Sequence, residues 1–219
     1  MFIKRYTIPY ESCIATKKFE ISESGKLYFY HSHKTYVKEK GLVEDMKKME
    51  DYVVSIPDFP KKGIIFRDVT SVLQDKDGLQ LAINEMQALL DGVECDVIVG
   101  TESRGFIFGM PIAYNLKKSF VPARKKGKLP RETVSAKYDL EYGSTEIEIH
   151  KDAILPGQKV VIVDDLIATG GTIEATAKLV EELGGEVVKI IFLMELAGLN
   201  GREKLKNYDV ASVICYEGK

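Results

Sequence analysis

The chain has 219 residues, of which 31 are basic and 33 acidic, for a formal charge of -2 at pH 7. That balance gives no general electrostatic drive toward nucleic acid or an anionic membrane, although the cluster Arg124–Lys128 can still hold a small anion. Cys13, Cys95 and Cys215 make neither a CxxC pair nor a disulfide framework, no apolar run is long enough for a membrane span, and ESCIATKKFE interrupts any secretory stretch after Lys4 and Arg5, so a cytoplasmic protein is expected.

Residues 1–45 differ in character from the rest of the chain. They hold two of the three histidines and the aromatic-rich YFYHSHKTY at 28–36, with KFEIS and KLYFY flanking ESG as in a hairpin. A lone hairpin is marginal in water. Three readings therefore stand: an appendage docked on the main body, a loosely ordered extension, or translation beginning at Met46 or Met49. Residues 46–219 form the second unit and are far more regular.

MKKMEDYVVSI places Met46, Met49, Val53 and Ile56 at near-helical spacing and predicts a helix ended by the prolines of IPDFPKKG. LQLAINEMQALLDG predicts a second helix. DVIVG at 96–100 is a short apolar strand, followed by a polar turn and the apolar segment GFIFGMPIAYNLKK; SFVPA at 119–123 is another strand. Residues 128–148 break the alternation with KLPRETVSAKYDLEYG before the alternating strand STEIEIH, and read either as a mobile functional flap, which the tyrosines and the Lys/Glu content favour, or as plain surface. KVVIVDD at 159–165 leads into the helix GTIEATAKLVEELGG, with Ile173, Ala177 and Val180 on one face. EVVKIIFLMEL at 186–196 and DVASVICY at 209–216 are two more strands, with the short helical candidate GREKLKN between them. Apolar strands alternating with helices predict an α/β fold, a mostly parallel twisted sheet covered on both faces, with ligands beyond the carboxyl ends of the strands.

That edge carries the chemistry. Thr169, Gly170, Gly171 and Thr172 sit where a strand gives way to a helix, so unpaired backbone N–H groups and the helix dipole favour an anion. Neither GxxxxGK[ST] nor an early GxGxxG is present, so a triphosphate or dinucleotide site loses its usual anchor. Asp164 and Asp165 come just before the loop, and carboxylates accept from vicinal sugar hydroxyls and attract a hard divalent cation. A ligand with a 5′-phosphate, a ribose diol and bound magnesium satisfies both halves; an N-capping aspartate before an ordinary glycine turn is the plain alternative. TESRG at 101–105 and RKKGK at 124–128 add charged groups suited to a second anionic moiety, such as a departing pyrophosphate.

VVIVDDLIATGGT, SIPDFPKKGIIFRDVT, TESRGFIFG, RKKGKLP and YDLEYG together resemble the adenine phosphoribosyltransferases of the type I phosphoribosyltransferase family, over about residues 46–219. Residues 1–45 have no counterpart in that pattern, and Glu102 stands where an aspartate is common. The resemblance implies a sheet with a small N-terminal hood and a flexible flap. It also implies transfer of the phosphoribosyl group from 5-phosphoribosyl 1-pyrophosphate to adenine, a purine-salvage step yielding AMP, with Mg2+ held mainly through substrate and a homodimer as the working unit.

Carried onto this chain, Asp164 and Asp165 take the ribose hydroxyls, and Ala168, Thr169, Gly170, Gly171 and Thr172 cradle the 5′-phosphate. Glu102, Ser103 and Arg104, with a cis peptide at Glu102–Ser103, would join Arg124, Lys125 and Lys128 around pyrophosphate, some of these cations across the dimer interface. Ile65, Phe66 and Arg67 would belong to the adenine-binding hood, with Leu166 against the ring. Glu141 and Tyr142 would lie on the flap, Glu141 managing the base proton. Glu141, Arg104, Asp164 and Asp165 are thus the catalytic candidates. Two alternatives stay open: an enzyme for another purine, and a nucleotide-binding regulator of the same fold, which the charge of -2 disfavours.

Overall fold

The computed structural model describes residues 47–139 and 144–218 and, nearer the N-terminus, the strands β1 (Lys4–Thr7), β2 (Lys18–Ile21), β3 (Leu27–His31) and β4 (Lys34–Lys38). These four pair side by side as an antiparallel sheet in chain order. Lys18 opposite Tyr30 and Ile21 opposite Leu27 give the hairpin that KFEIS and KLYFY predict.

Next come a 3-10 turn at Met49–Tyr52 and a two-stranded hood, β5 (Val54–Pro57) against β6 (Ile65–Asp68). The helix expected from residue 46 to 56 is therefore a single turn and a strand. Met49 and Val53 are buried, but Ile56 is 38% exposed, so the apolar spacing stops serving a helical face there. The β-branched pair Val53–Val54 and the bias of a pre-proline residue away from αR favour extension instead. Two helices follow. The Asp68 side chain accepts the Thr70 N–H at 2.8 Å to start α1 (Val69–Gln74), and Asp75 accepts from Asp77 and Gly78 to start α2 (Lys76–Ala88).

The remaining strands are β7 (Val97–Thr101), β8 (Ser119–Lys125), β9 (Thr133–Asp139), β10 (Ser144–His150), β11 (Lys159–Ile167), β12 (Glu186–Leu196) and β13 (Val210–Tyr216). They form one sheet in the order β13-β12-β11-β7-β8-β10-β9; the first five are parallel, and β10 pairs antiparallel with both β8 and β9. The excursion after Lys128 is thus a hairpin whose inner strand joins the sheet edge through Ile147 opposite Lys125 and Glu148 opposite Arg124.

Strand alternation divides the core into two layers. Ile98, Val161, Val163, Ile191 and Leu193 pack with Val72 and Met86 of the first two helices and with Phe108 and Ile112 of α3 (Arg104–Leu116). Val97, Val99, Val160, Ile162, Ile190 and Phe192 face the other way, onto Ile173, Ala177, Leu179 and Val180 of α4 (Gly171–Glu182). Helices on both faces of a mostly parallel sheet are what the alternation predicts. GREKLKN forms a 3-10 turn, Gly201–Leu205. Central strand β11 ends at the carboxyl edge with Asp164 and Asp165, and among the described residues no helix is long and apolar enough to cross a membrane.

Candidate active site

Three loops converge at the carboxyl edge. β11 delivers the acidic pair and then Ala168–Thr172, with Gly170 in the left-handed region at φ 76° capping α4. Its first-turn N–H groups lack intrahelical acceptors, which makes the turn an anion cradle. Packing explains why the loop is so small. A Cβ on Gly170 would lie 2.6 Å from the carbonyl of Gly201, and one on Gly201 would run into the Ala168 carbonyl. The Ala168–Thr172 loop rests backbone to backbone on the turn before β13.

The second loop follows β7. The Glu102–Ser103 peptide is cis, as the resemblance implies, and Arg104 opens α3. Gly105 lets this helix start lie flush against β11: a Cβ there would be 2.6 Å from the Val163 carbonyl and 3.0 Å from Asp164 Oδ1. Arg104 reaches the acidic pair, with Nε 2.9 Å from Asp165 Oδ2. Asp165 Oδ2 is buried without an aligned donor, so this is a charge contact rather than a directed hydrogen bond. The Asp165 N–H is donated to Asp164 Oδ1 at 2.9 Å. Burial, followed by the neighbouring Asp165 charge, pushes the Asp164 carboxyl well above the ordinary carboxylate range. Burial also raises Asp165, against the opposing pull of Arg104.

The third loop is RKKGK. Glu102 couples it to the second, accepting from the Lys125 N–H at 2.9 Å and from Arg124 Nε at 3.1 Å. Burial opposes the charge on Glu102, but these donors outweigh it and hold its carboxyl below the ordinary value. Lys126 pairs outward with Glu146 at 2.6 Å, while Lys125 and Lys128 are exposed.

The structure therefore brings Glu102, Ser103, Arg104, Arg124, Lys125 and Lys128 into one linked arrangement beside Asp164 and Asp165. In the hood, Phe66 meets Phe59 edge to face at 5.2 Å and Ile65 is 42% exposed. Arg67 stacks 4.0 Å over the Tyr216 ring and donates to Ser55, tying the hood to the end of β13. Leu166 and Tyr216 are half-buried against the same core layer. Glu141 and Tyr142 lie outside the described residues. Reading the sequence missed Tyr216, Gly201 and Glu148. Their partners are distant in sequence, so no local spacing marks them.

An acidic pair before a phosphate-sized cradle on a parallel sheet, facing a cationic loop, defines the phosphoribosyl transferase domain. The family model of that description matches residues 70–217, and the chain belongs to this family. The particular members it resembles are adenine phosphoribosyltransferases. That of Lachnoclostridium phytofermentans is 74% identical over 174 residues, 80% of this chain and 100% of the relative. The crystal structure of the Thermoanaerobacter pseudethanolicus enzyme is 56% identical, with a TM-score of 0.74 over 77% of this chain and 98% of that one. The Saccharomyces cerevisiae enzyme, solved with an imino-altritol bisphosphate and adenine, is 43% identical, with a TM-score of 0.72 over 75% of this chain and 96% of that one.

Proposed function

We propose that this chain transfers the 5-phosphoribosyl group from 5-phosphoribosyl 1-pyrophosphate to adenine, giving AMP and pyrophosphate. The observation that carries the reading is the Arg104–Asp165 contact, Nε to Oδ2 at 2.9 Å, which links the cis-peptide loop to the acidic pair preceding Ala168–Thr172 and so supports one shared site. Similarity to adenine enzymes selects the base. The bond from the anomeric carbon to pyrophosphate oxygen breaks, and its electron pair leaves with pyrophosphate. Adenine N9 bonds to that carbon and gives up its proton.

Asp164 and Asp165 hold the ribose hydroxyls and stabilise the positive charge that grows on the sugar. Ala168–Thr172 anchor the 5′-phosphate, and Glu102 to Arg104 with Arg124, Lys125 and Lys128 receive pyrophosphate as its charge develops. Leu166 and the hood strand at Ile65–Arg67 bound the adenine pocket. Glu141 handles the base proton, and with Tyr142 closes the flap against water. Magnesium, held mainly through the substrate, would supply further positive charge to the leaving group beside Arg104, Arg124, Lys125 and Lys128. Among the described residues, no three His, Cys, Asp or Glu are grouped to hold a metal alone.

The working unit is a homodimer. Ile107, Met110 and Tyr114, at 39%, 54% and 79% exposure, form an apolar stripe along α3 directly after Arg104, which supports a second copy packing there. Cytoplasmic residence is supported by the buried thiol of Cys95. A base panel tests the function. Adenine should react about 10⁴-fold faster than hypoxanthine or guanine, because a fixed hood that pairs with an amine donor leaves polar groups unpaired against a carbonyl. Comparable rates with guanine would reassign the chain to another purine.

A further inference from the structure

The buried carboxylate of Glu148 stands apart from the residues proposed to bind or turn over substrate. It is 5% exposed on β10, between Ile147 and Ile149, which face the core. Its Oε1 accepts three consecutive backbone N–H groups, from Gly127 at 3.0 Å, Lys128 at 3.2 Å and Leu129 at 3.2 Å. Its Oε2 accepts from the Thr133 hydroxyl at 3.3 Å. The loop it grips is the cationic RKKGK turn, where Gly127 takes φ 80°, a conformation that suits glycine.

Three N–H donors on one ionised oxygen make a strong, directional anchor. The charge is spent on backbone dipoles. The ammonium groups of Lys125 and Lys128 are therefore left for another anion, although the loop carries four cations that repel each other. Arg124 locks the other side of the loop, donating to the Lys128 carbonyl at 3.3 Å and to Glu102 at 3.1 Å. The loop is held at one end by the carboxylate on the flap hairpin and at the other by the cis-peptide loop.

We infer that Glu148 is a positioning residue for pyrophosphate: it presets the Arg124–Lys128 loop from behind and touches no substrate itself. Because it sits on β10, it also ties the base of the flap hairpin to the leaving-group site. The inference rests on the proposed assignment of this loop to pyrophosphate.

Its test is calorimetric titration of the full chain with magnesium pyrophosphate and, separately, with AMP. Glu148→Ala leaves three buried N–H groups without an acceptor, and should weaken pyrophosphate binding at least about tenfold. AMP binding, through the other loop, should stay within about twofold of the unaltered chain. Glu148→Gln keeps an acceptor at the same reach and should recover most of the loss. Glu148→Asp keeps the charge but falls short by one methylene, and should not recover it. Should Glu148→Ala not fold, the Gln and Asp variants carry the same comparison. Unchanged pyrophosphate affinity in Glu148→Ala or Glu148→Asp would overturn the inference, as would equal losses for AMP and pyrophosphate. No pyrophosphate binding by the unaltered chain would instead reject the assignment of the loop.

Discussion

Replacing Gly201 with alanine tests whether the Ala168–Thr172 loop, proposed to hold the 5′-phosphate, depends on the turn behind it. The new Cβ would meet the Ala168 carbonyl oxygen and would lie 2.8 Å from Ile167 Cγ1 and 3.1 Å from the Ala168 carbonyl carbon. Ordinary carbon contacts are about 3.5–4.0 Å, so one side must retreat by roughly 1 Å. The turn is the stiffer side. Arg202 Nε lies 2.7 and 2.8 Å from the two oxygens of buried Glu195, Nη2 is 2.6 Å from Oε2, and Nη1 donates to the Val210 carbonyl at 2.8 Å. The Ser212 hydroxyl closes the network on Glu195 at 2.8 Å. The Ala168–Thr172 loop should therefore move. A 1 Å misplacement of a substrate-holding group can cost about 10²-fold, and overpacking of this kind costs about 1–3 kcal/mol of stability. The assay is kcat/KM for phosphoribosyl pyrophosphate, with AMP and pyrophosphate affinities measured beside it and folding checked by thermal melting. AMP affinity should fall and pyrophosphate affinity should hold, the reverse of the Glu148 variants. A folded variant within about threefold of the original kcat/KM would show that the backbone contact does not set the cradle.

Asp165→Asn should lose roughly 10²-fold or more in kcat/KM with the fold intact, measured by steady-state kinetics and circular dichroism. Asp164→Asn should behave likewise in activity yet melt higher at neutral pH. The folded Asp164 carboxyl is raised above its ordinary value of 3.8, so the stability it contributes is complete below that value and is lost as pH rises through the folded pKa. The gain in the asparagine variant should accordingly vanish in melts at low pH; equal melting temperatures at pH 7 would contradict the sign. A chain beginning at Met46 should keep kcat/KM within about tenfold, since every proposed substrate-binding residue lies at or after Ile65; a larger loss would give the N-terminal segment a role. Met110→Asp should shift the chain from dimer to monomer in sedimentation, and a persistent dimer would move the interface off α3.

Much of this architecture was legible because strand and helix periods are local. The runs at 96–100, 159–165, 186–196 and 209–216 are apolar on both faces, as buried parallel strands must be, and each coincides with a strand of the sheet to within one or two residues. The 46–56 segment misled because Met49 and Val53 do pack inward, and only hood pairing, Val54 opposite Asp68, decides against the helix. The site divides the same way. The Asp164–Thr172 cradle is contiguous and can be read directly. Glu148 becomes visible only when β10 pairs with β8, and Gly201 only when its turn folds behind a loop some thirty residues earlier. Long-range pairing is what a single sequence does not display.

The central claim is a group transfer, not merely nucleotide binding, and product stoichiometry tests it most directly. With adenine, magnesium and phosphoribosyl pyrophosphate, phosphorus magnetic resonance should show AMP and pyrophosphate growing together in equal amounts, with little ribose 5-phosphate. Pyrophosphate released without AMP, or no turnover from folded chain, would contradict the account.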